Sequence, residues 1–258
     1  MANLEHLALL KAGAVTWTQW RKQNSEIDID LSAVNLQREN LRGANLQGVN
    51  LNKADFSQAL LVRANFCGAE LSSTNFYQAN LTQANLSGAN LSLANLQGVS
   101  LVEADLHQVN LIGANISCAN LKDAIFTDAN LIGTDFNNSD LRDADLGDAK
   151  LIRSNLCFAN LMGANLINAD LCEASLYEVE LIGAYLYKAN LSKSNLTKAH
   201  LSGTYLFRAN FSEANLMGAN LSWSNLSYAN FGGANLTGAN LRGANLQGAN
   251  LLGAVMPD

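Results

Sequence analysis

The sequence predicts an all-β solenoid, and three observations predict it. An apolar residue recurs every five positions without interruption, glycine gathers in one column of that repeat, and proline is missing from it. Written in rows of five from Leu31, the first column holds Leu, Phe or Ile in all 45 rows, the last of which begins at Leu251. The fourth column of these rows, two residues before the next Leu, is Ala, Ser, Thr or Val throughout, with the single exception of Glu39. A separation of two is the spacing of side chains on one face of an extended strand, so both columns point inward. The residue between them, mostly Asn or Asp, then points out. A helical period of 3.6 would drift off this register within two repeats. The column two after the Leu contains 16 of the 19 glycines, as a corner with φ > 0 at the third residue of a type II turn requires. The one proline, Pro257, lies beyond the last repeat, as expected if every rung pairs its N–H groups with its neighbours. Such units cannot bury their apolar face alone and must stack.

The N-terminal element is different. Residues 1–30 do not follow the repeat and form a helical cap, leaving 31–258 for the solenoid. The stretch LEHLALLKAGAVTWTQWRKQN (4–24) places Leu7, Leu10, Ala14 and Trp17 at helical spacing, with Trp20 one turn further on. Asn3 is the expected N-cap, and Arg21 and Lys22 sit where the helix dipole favours cations. A solenoid exposes a raw apolar cross-section at each end. The two tryptophans are therefore expected over Leu31, Leu36, Leu41 and Leu46. Glu39, in the first coil, is expected to reach the rim and meet the cap, with Arg38 or Arg42 at hand. The C-terminal end has no helix. Leu241, Leu246, Leu251, Leu252, Val255 and Met256 are expected to leave an apolar end that a homodimer would close.

Within the repeat, unusual residues recur at a spacing of 20: Ile112, Ile132 and Ile152; Tyr185 and Tyr205; Tyr187 and Phe207; Phe56 and Phe76; Phe211 and Phe231; Asp123 and Asp143. Ladders of like residues explain this if four repeats make one coil. Two of these ladders carry apolar side chains outward. One is Ile112, Ile132 and Ile152. The other is Ile167, Tyr187 and Phe207, flanked by Tyr185 and Tyr205 and approached by Trp223 and Tyr228. Contiguous outward apolar residues mark interfaces.

Composition narrows the chemistry. An apolar fraction of 48% is that of a folded chain, and a net charge of −6 argues against non-specific nucleic-acid or anionic-membrane binding. No apolar run approaches the roughly 18 residues that span a bilayer, and no signal segment opens the chain, so no membrane insertion is expected. Cys67, Cys118, Cys157 and Cys172 form no C-x-x-C pair, which suits free thiols in the cytoplasm. His6, His107 and His200 share no ladder and read as surface residues, so no metal is expected. The glycines recur every five residues and form no phosphate loop, and no serine has an elbow or a paired base. With no concave pocket indicated, neither catalysis nor a cofactor is expected.

Rows of the form A-(N/D)-L-x-x, as in ANLSGANLSLANLQG (84–98), resemble the pentapeptide-repeat family, which is most abundant in cyanobacteria. The resemblance covers about 225 residues. It implies a right-handed quadrilateral β-helix with 20 residues per coil, about 11 coils and a rod of roughly 50 Å. It also raises a functional alternative, because some members mimic duplex DNA and protect DNA gyrase. Glu103, Asp105, Asp123, Asp128, Asp143, Asp145 and Asp148 would gather at one edge here, with Lys122 and Arg142 beside them. The residues themselves favour a non-catalytic protein that binds another protein through side-chain ladders on flat faces; an enzyme of unknown type is the remaining class.

Overall fold

A computed structural model describes residues 3–257; Met1, Ala2 and Asp258, which fall within the expected cap and solenoid, lie outside the described residues. Two short helices, α1 (Leu4–Lys11) and α2 (Ala14–Gln23), precede the rod. From Asp30 to Val255 every repeat contributes a bridge residue, each pairing in parallel with the residue 20 further on. The coil is therefore four repeats long and the rod four-sided. Faces 1 to 4 are named here by their first inward residues Leu31, Leu36, Leu41 and Leu46, and each recurs every 20 residues.

The five N–H groups of a typical repeat are all used. In the repeat at Phe76, Asn75 N–H donates back to Ala54 O, and Phe76 N–H donates forward to Asn95 O. Tyr77 N–H donates to the Asn75 side-chain oxygen, Gln78 N–H donates forward to Gln97 O, and Ala79 N–H closes the corner onto Phe76 O. The Asn column is thus half-buried and structural. Its carboxamides also climb the rod, as where Asn95 Nδ2 donates to Asn75 Oδ1 at 3.0 Å. Residues at all 45 corners have positive φ, 16 of them glycines and 29 not.

Inside, the large column stacks residue on residue. The Phe56 and Phe76 rings lie 5.1 Å apart and parallel, with Phe66 edge-on to both. Phe211 and Phe231 stack at 5.0 Å. Where the small column holds Ser or Thr, the hydroxyl is satisfied by backbone: Thr134 donates to Leu111 O, and Ser139 to Ile116 O. A buried hydroxyl with a partner is tolerated where an unpaired one would not be.

The cap departs from the expected single helical run. Gly13, at φ 115, breaks it into α1 and α2. The break lets both helices lie on the open end. Asn3 caps α1, accepting from the N–H groups of Glu5 and His6. Leu10 and Trp17 are fully buried; Leu7, Ala14 and Trp20 pack half-buried against the core. The Trp17 indole N–H donates to Asn45 O at 2.6 Å, which pins α2 to the first coil. His6 is no surface residue: it is buried (8% exposed) with its ring 4.8 Å from Trp20, because the short α1 turns it under the cap. Glu39 does reach the cap, but its partner is Lys11 of α1 at 3.6 Å. Arg38 points along the rod instead and donates to Gln58. At the other end Leu241, Leu246 and Leu251 are only half-buried, and Leu252, Val255 and Met256 are exposed.

Candidate interaction faces

Because corners have φ > 0 and side chains there project from the rod's edges, large corner residues have little beside them. They lie along the edge instead, towards the coil that follows. A Cβ on Gly113 would meet the Leu93 side chain at 3.0 Å, and one on Gly248 would meet the Tyr228 ring at 2.8 Å. Trp223 likewise covers Gly243. A bulky corner followed 20 residues later by glycine was a sequence signal that the reading of columns one by one missed.

Face 4 carries the densest outward aromatic group. Tyr185 and Tyr205 stack at 4.9 Å with planes 4° apart, and Tyr187 stacks on Phe207 at 5.8 Å. Tyr228 meets the Phe207 edge at 5.5 Å. Lys188 sits 5.0 Å from the Tyr187 ring centre, and Arg208 lies 5.3 Å from that of Phe207 and 5.9 Å from that of Tyr228. Tyr185 and Tyr205 are 45% and 52% exposed, while Tyr187, Phe207 and Ile167 are half-buried on the same face. Trp223, 67% exposed, stays apart from this block on the edge between faces 3 and 4.

The Ile112, Ile132 and Ile152 ladder lies on face 1, around the corner from the aromatics; only Ile112 is well exposed. The acids do not act as one group. Arg142 makes a bidentate pair with Asp140 at 2.8 and 2.6 Å, Lys122 reaches Asp123 at 3.6 Å, and Glu103 accepts from Gln83. Asp145 is spent on the backbone and on Asn165. The Arg142 hydrogen bonds hold Asp140 below the usual aspartate range, against a desolvation that pushes it up.

Face 2 holds a cluster that the sequence reading did not single out. Tyr177 packs edge-on against Phe158 at 5.4 Å, and Lys198 Nζ donates to Tyr177 Oη at 3.2 Å and to Glu178 at 3.3 Å. The Tyr177 hydroxyl, then Lys198, hold Glu178 below the ordinary glutamate value, and the Tyr177 hydroxyl, then Glu178, raise Lys198. Next to it, on the edge leading to face 3, His200 Nδ1 lies 2.6 Å from Glu180. Opposite charges 20 residues apart were the available signal. His107 bonds Thr127 at 2.8 Å on face 4, far from either other histidine in the ladder order. The four cysteines are free. Among the described residues no helix is long and apolar enough to cross a membrane.

The family profile described as Pentapeptide repeats (8 copies) matches in overlapping segments from residue 27 to residue 253. Among solved structures, HetL, a pentapeptide repeat protein involved in heterocyst differentiation regulation from the cyanobacterium Nostoc, is 32% identical. That match covers 93% of this chain and 97% of HetL, with a TM-score of 0.26. Rfr23, a pentapeptide repeat protein from the cyanobacterium Cyanothece, is 37% identical over 42% of this chain and 63% of its own, with a TM-score of 0.20. Full-length QnrB1, a plasmid-mediated fluoroquinolone resistance protein, is 19% identical over 85% of this chain and 92% of its own, with a TM-score of 0.38. No curated protein matches.

Proposed function

The chain belongs to the pentapeptide-repeat family, with its right-handed quadrilateral β-helix, and from that premise we propose that it is a non-catalytic binding scaffold whose face 4 engages another protein. One observation carries this reading. Tyr185 and Tyr205 occupy the column where Asn or Asp normally accepts the N–H two residues on, as Asn165 does for Ile167. A tyrosine there cannot accept that bond, which forgoes about 0.5–1.5 kcal/mol per site. Exposed rings are set in place of a structural carboxamide. Local rules are broken in this way at functional sites. The rings have a cationic rim in Lys188 and Arg208, and Tyr and Arg are enriched at binding hot spots.

The test replaces Tyr187 and Phe207 with Ser. The melting temperature should stay nearly unchanged, since stacked pairs on a sheet contribute only about 0.2–1 kcal/mol each. Proteins from the native host that the immobilised wild type retains, and an Ile112→Ser control also retains, should be lost. A large fall in melting temperature with the retained set unchanged would assign the rings a purely structural role.

The half-buried Leu246 and Leu251 and the exposed residues after them support a second contact, an end-to-end homodimer through Leu246, Leu251, Leu252, Val255 and Met256. Leu252, 83% exposed, is its most accessible member. Light scattering on Leu252→Lys against wild type decides it. The duplex-mimic alternative rests on the acidic edge, but the pairing of Asp140 with Arg142 and of Asp123 with Lys122 breaks up that edge's charge. A supercoiling assay with gyrase separates it from the scaffold reading. Free thiols at all four cysteines suit the cytoplasm.

A further inference from the structure

Face 4 is not uniform along the rod. Its trailing corner carries, coil by coil, Asp128, Asp148, Asn168, Lys188 and Arg208, all exposed. None of the four charged residues has an ion-pair partner among the described residues. The order is acid, acid, neutral, base, base. Turned end for end about its centre, it is its own electrostatic complement.

We propose that face 4 is the contact of an antiparallel two-fold homodimer, its axis crossing the face at the level of Ile167 and Asn168. This deepens the scaffold reading above, on which it rests, by naming the occupant of that face as a second copy of the chain. A two-fold axis lying in the contact plane, at right angles to the rod, sets each column of the face against itself with the coil order reversed. Asp148 then meets Lys188 of the other copy, and Asp128 meets Arg208. Ile167 meets Ile167.

The neighbouring columns agree with the same axis. In the column of Gly147, Ile167, Tyr187 and Phe207, the buried glycine comes opposite Tyr187, a small residue against a large one, and Thr127 comes opposite Phe207. In the Asn column, Asp145 faces Tyr185, a carboxylate against a phenol. Ile125, exposed and itself a departure from the Asn rule, faces Tyr205. On the leading corner, Asp143 and Asp123 come opposite Gly183 and Gly203, whose edges are bare. A parallel pairing, coil against the same coil, would set acid on acid and is disfavoured by like charge. Ladders stepping by about 4.9 Å let one register satisfy all these pairs together.

Sedimentation equilibrium on the full chain tests this. Wild type should self-associate, with a dissociation constant that rises at least about tenfold between about 0.05 and 0.5 M NaCl as the charges are screened. In a Leu252→Lys background, which removes the end-to-end contact, the double variants Lys188→Glu/Arg208→Glu and Asp128→Lys/Asp148→Lys should each be folded by circular dichroism and monomeric. Mixed in equal amounts they should associate, since each presents the charges that the other has lost. Leu252→Lys should leave the dimer unchanged, which separates this contact from the end-to-end one. A monomeric wild type at low salt, undiminished association in either double variant, or a mixture that stays monomeric would overturn the pairing. A monomeric wild type would leave the scaffold reading standing on its own test with Tyr187 and Phe207.

Discussion

The Trp223 ring lies across Gly243, the corner residue one coil further on, closely enough that a Cβ there would overlap it. Corner glycines therefore have two separable roles, holding positive φ and leaving room for the side chain that leans over from the coil before. Gly203 has the first role alone, with open space where its Cβ would be. Gly203→Ala and Gly243→Ala should each lose about 1–2 kcal/mol for an L-residue in the left-handed region. Only Gly243→Ala should also change the tryptophan emission, by displacing Trp223. Denaturant midpoints and fluorescence read the two effects separately. Equal spectra from both variants would mean that Trp223 does not rest on Gly243 in solution.

The inward column carries the stability. Leu141, fully buried at mid-rod, should cost about 2–5 kcal/mol when replaced by Ala, through lost transfer energy and a residual cavity. Asn160 accepts one N–H bond, from Met162, and its replacement by Ala should cost about 0.5–1.5 kcal/mol. Urea midpoints that ranked these two in the opposite order would contradict the inward assignment.

At the cap, burial should outweigh charge. Trp17→Ala should cost about 3–5 kcal/mol. Lys11→Ala, which breaks the partly exposed pair with Glu39, should cost about 0.2–1 kcal/mol and less in high salt. Thermal melts at two salt concentrations check both values. A Lys11 variant as damaging as the Trp17 variant would make the ion pair the anchor instead.

Asp140 gives the acid limb a local contributor. Its carboxyl is held below the ordinary aspartate range in the fold, chiefly by the Arg142 hydrogen bonds. A group that binds protons more weakly folded than unfolded stabilises the fold while ionised. The contribution is fully present above the ordinary aspartate value and vanishes as pH falls through the lowered folded one. Asp140→Asn should therefore narrow the gap to wild type on acidification, by no more than about 1 kcal/mol for so exposed a pair. Melts from pH 7 to about pH 2 follow it. A constant difference across that range would show that Arg142 does not hold the group in solution.

The period, the inward columns and the corners were legible in sequence because each is enforced in every row; the coil of 20 came from the family resemblance, with ladders of like residues in support. A backbone that pairs with its neighbours at fixed spacing tolerates no insertion, so the pattern survives intact. What sequence did not show was whatever depends on a side chain's reach between coils. Glu39 was expected to meet the cap with Arg38 or Arg42 at hand; it does meet the cap, but its partner is Lys11, on a helix whose break at Gly13 the apolar spacing alone did not reveal. His6 looked polar and exposed, yet the same break folds it under Trp20. Phe158, Glu178 and Lys198 share the corner ladder of face 2, but Tyr177 comes from the column beside it, so reading one column at a time passed over their contact. The aromatic stack of face 4 was legible, because its members recur at 20. The place of Trp223 was not, because a corner ring's lean is set by the empty space above a glycine.

Beyond its own corner, a typical repeat hydrogen-bonds to the coil before and the coil after, and among the described residues the two ends of the rod are closed unequally. The helical cap with Trp17 seals the first coil, while among the described residues the last coil has a coil on one side only. Stability in such an array is a sum of nearest-neighbour terms. The chain therefore behaves as a zipper with one fixed end. Unfolding should begin around residues 241–255 and travel towards the N-terminus, and amide protection should rise stepwise, coil by coil, in that direction. A chain so uniform in composition is thereby polarised in its dynamics, with a sense of direction that no single repeat contains.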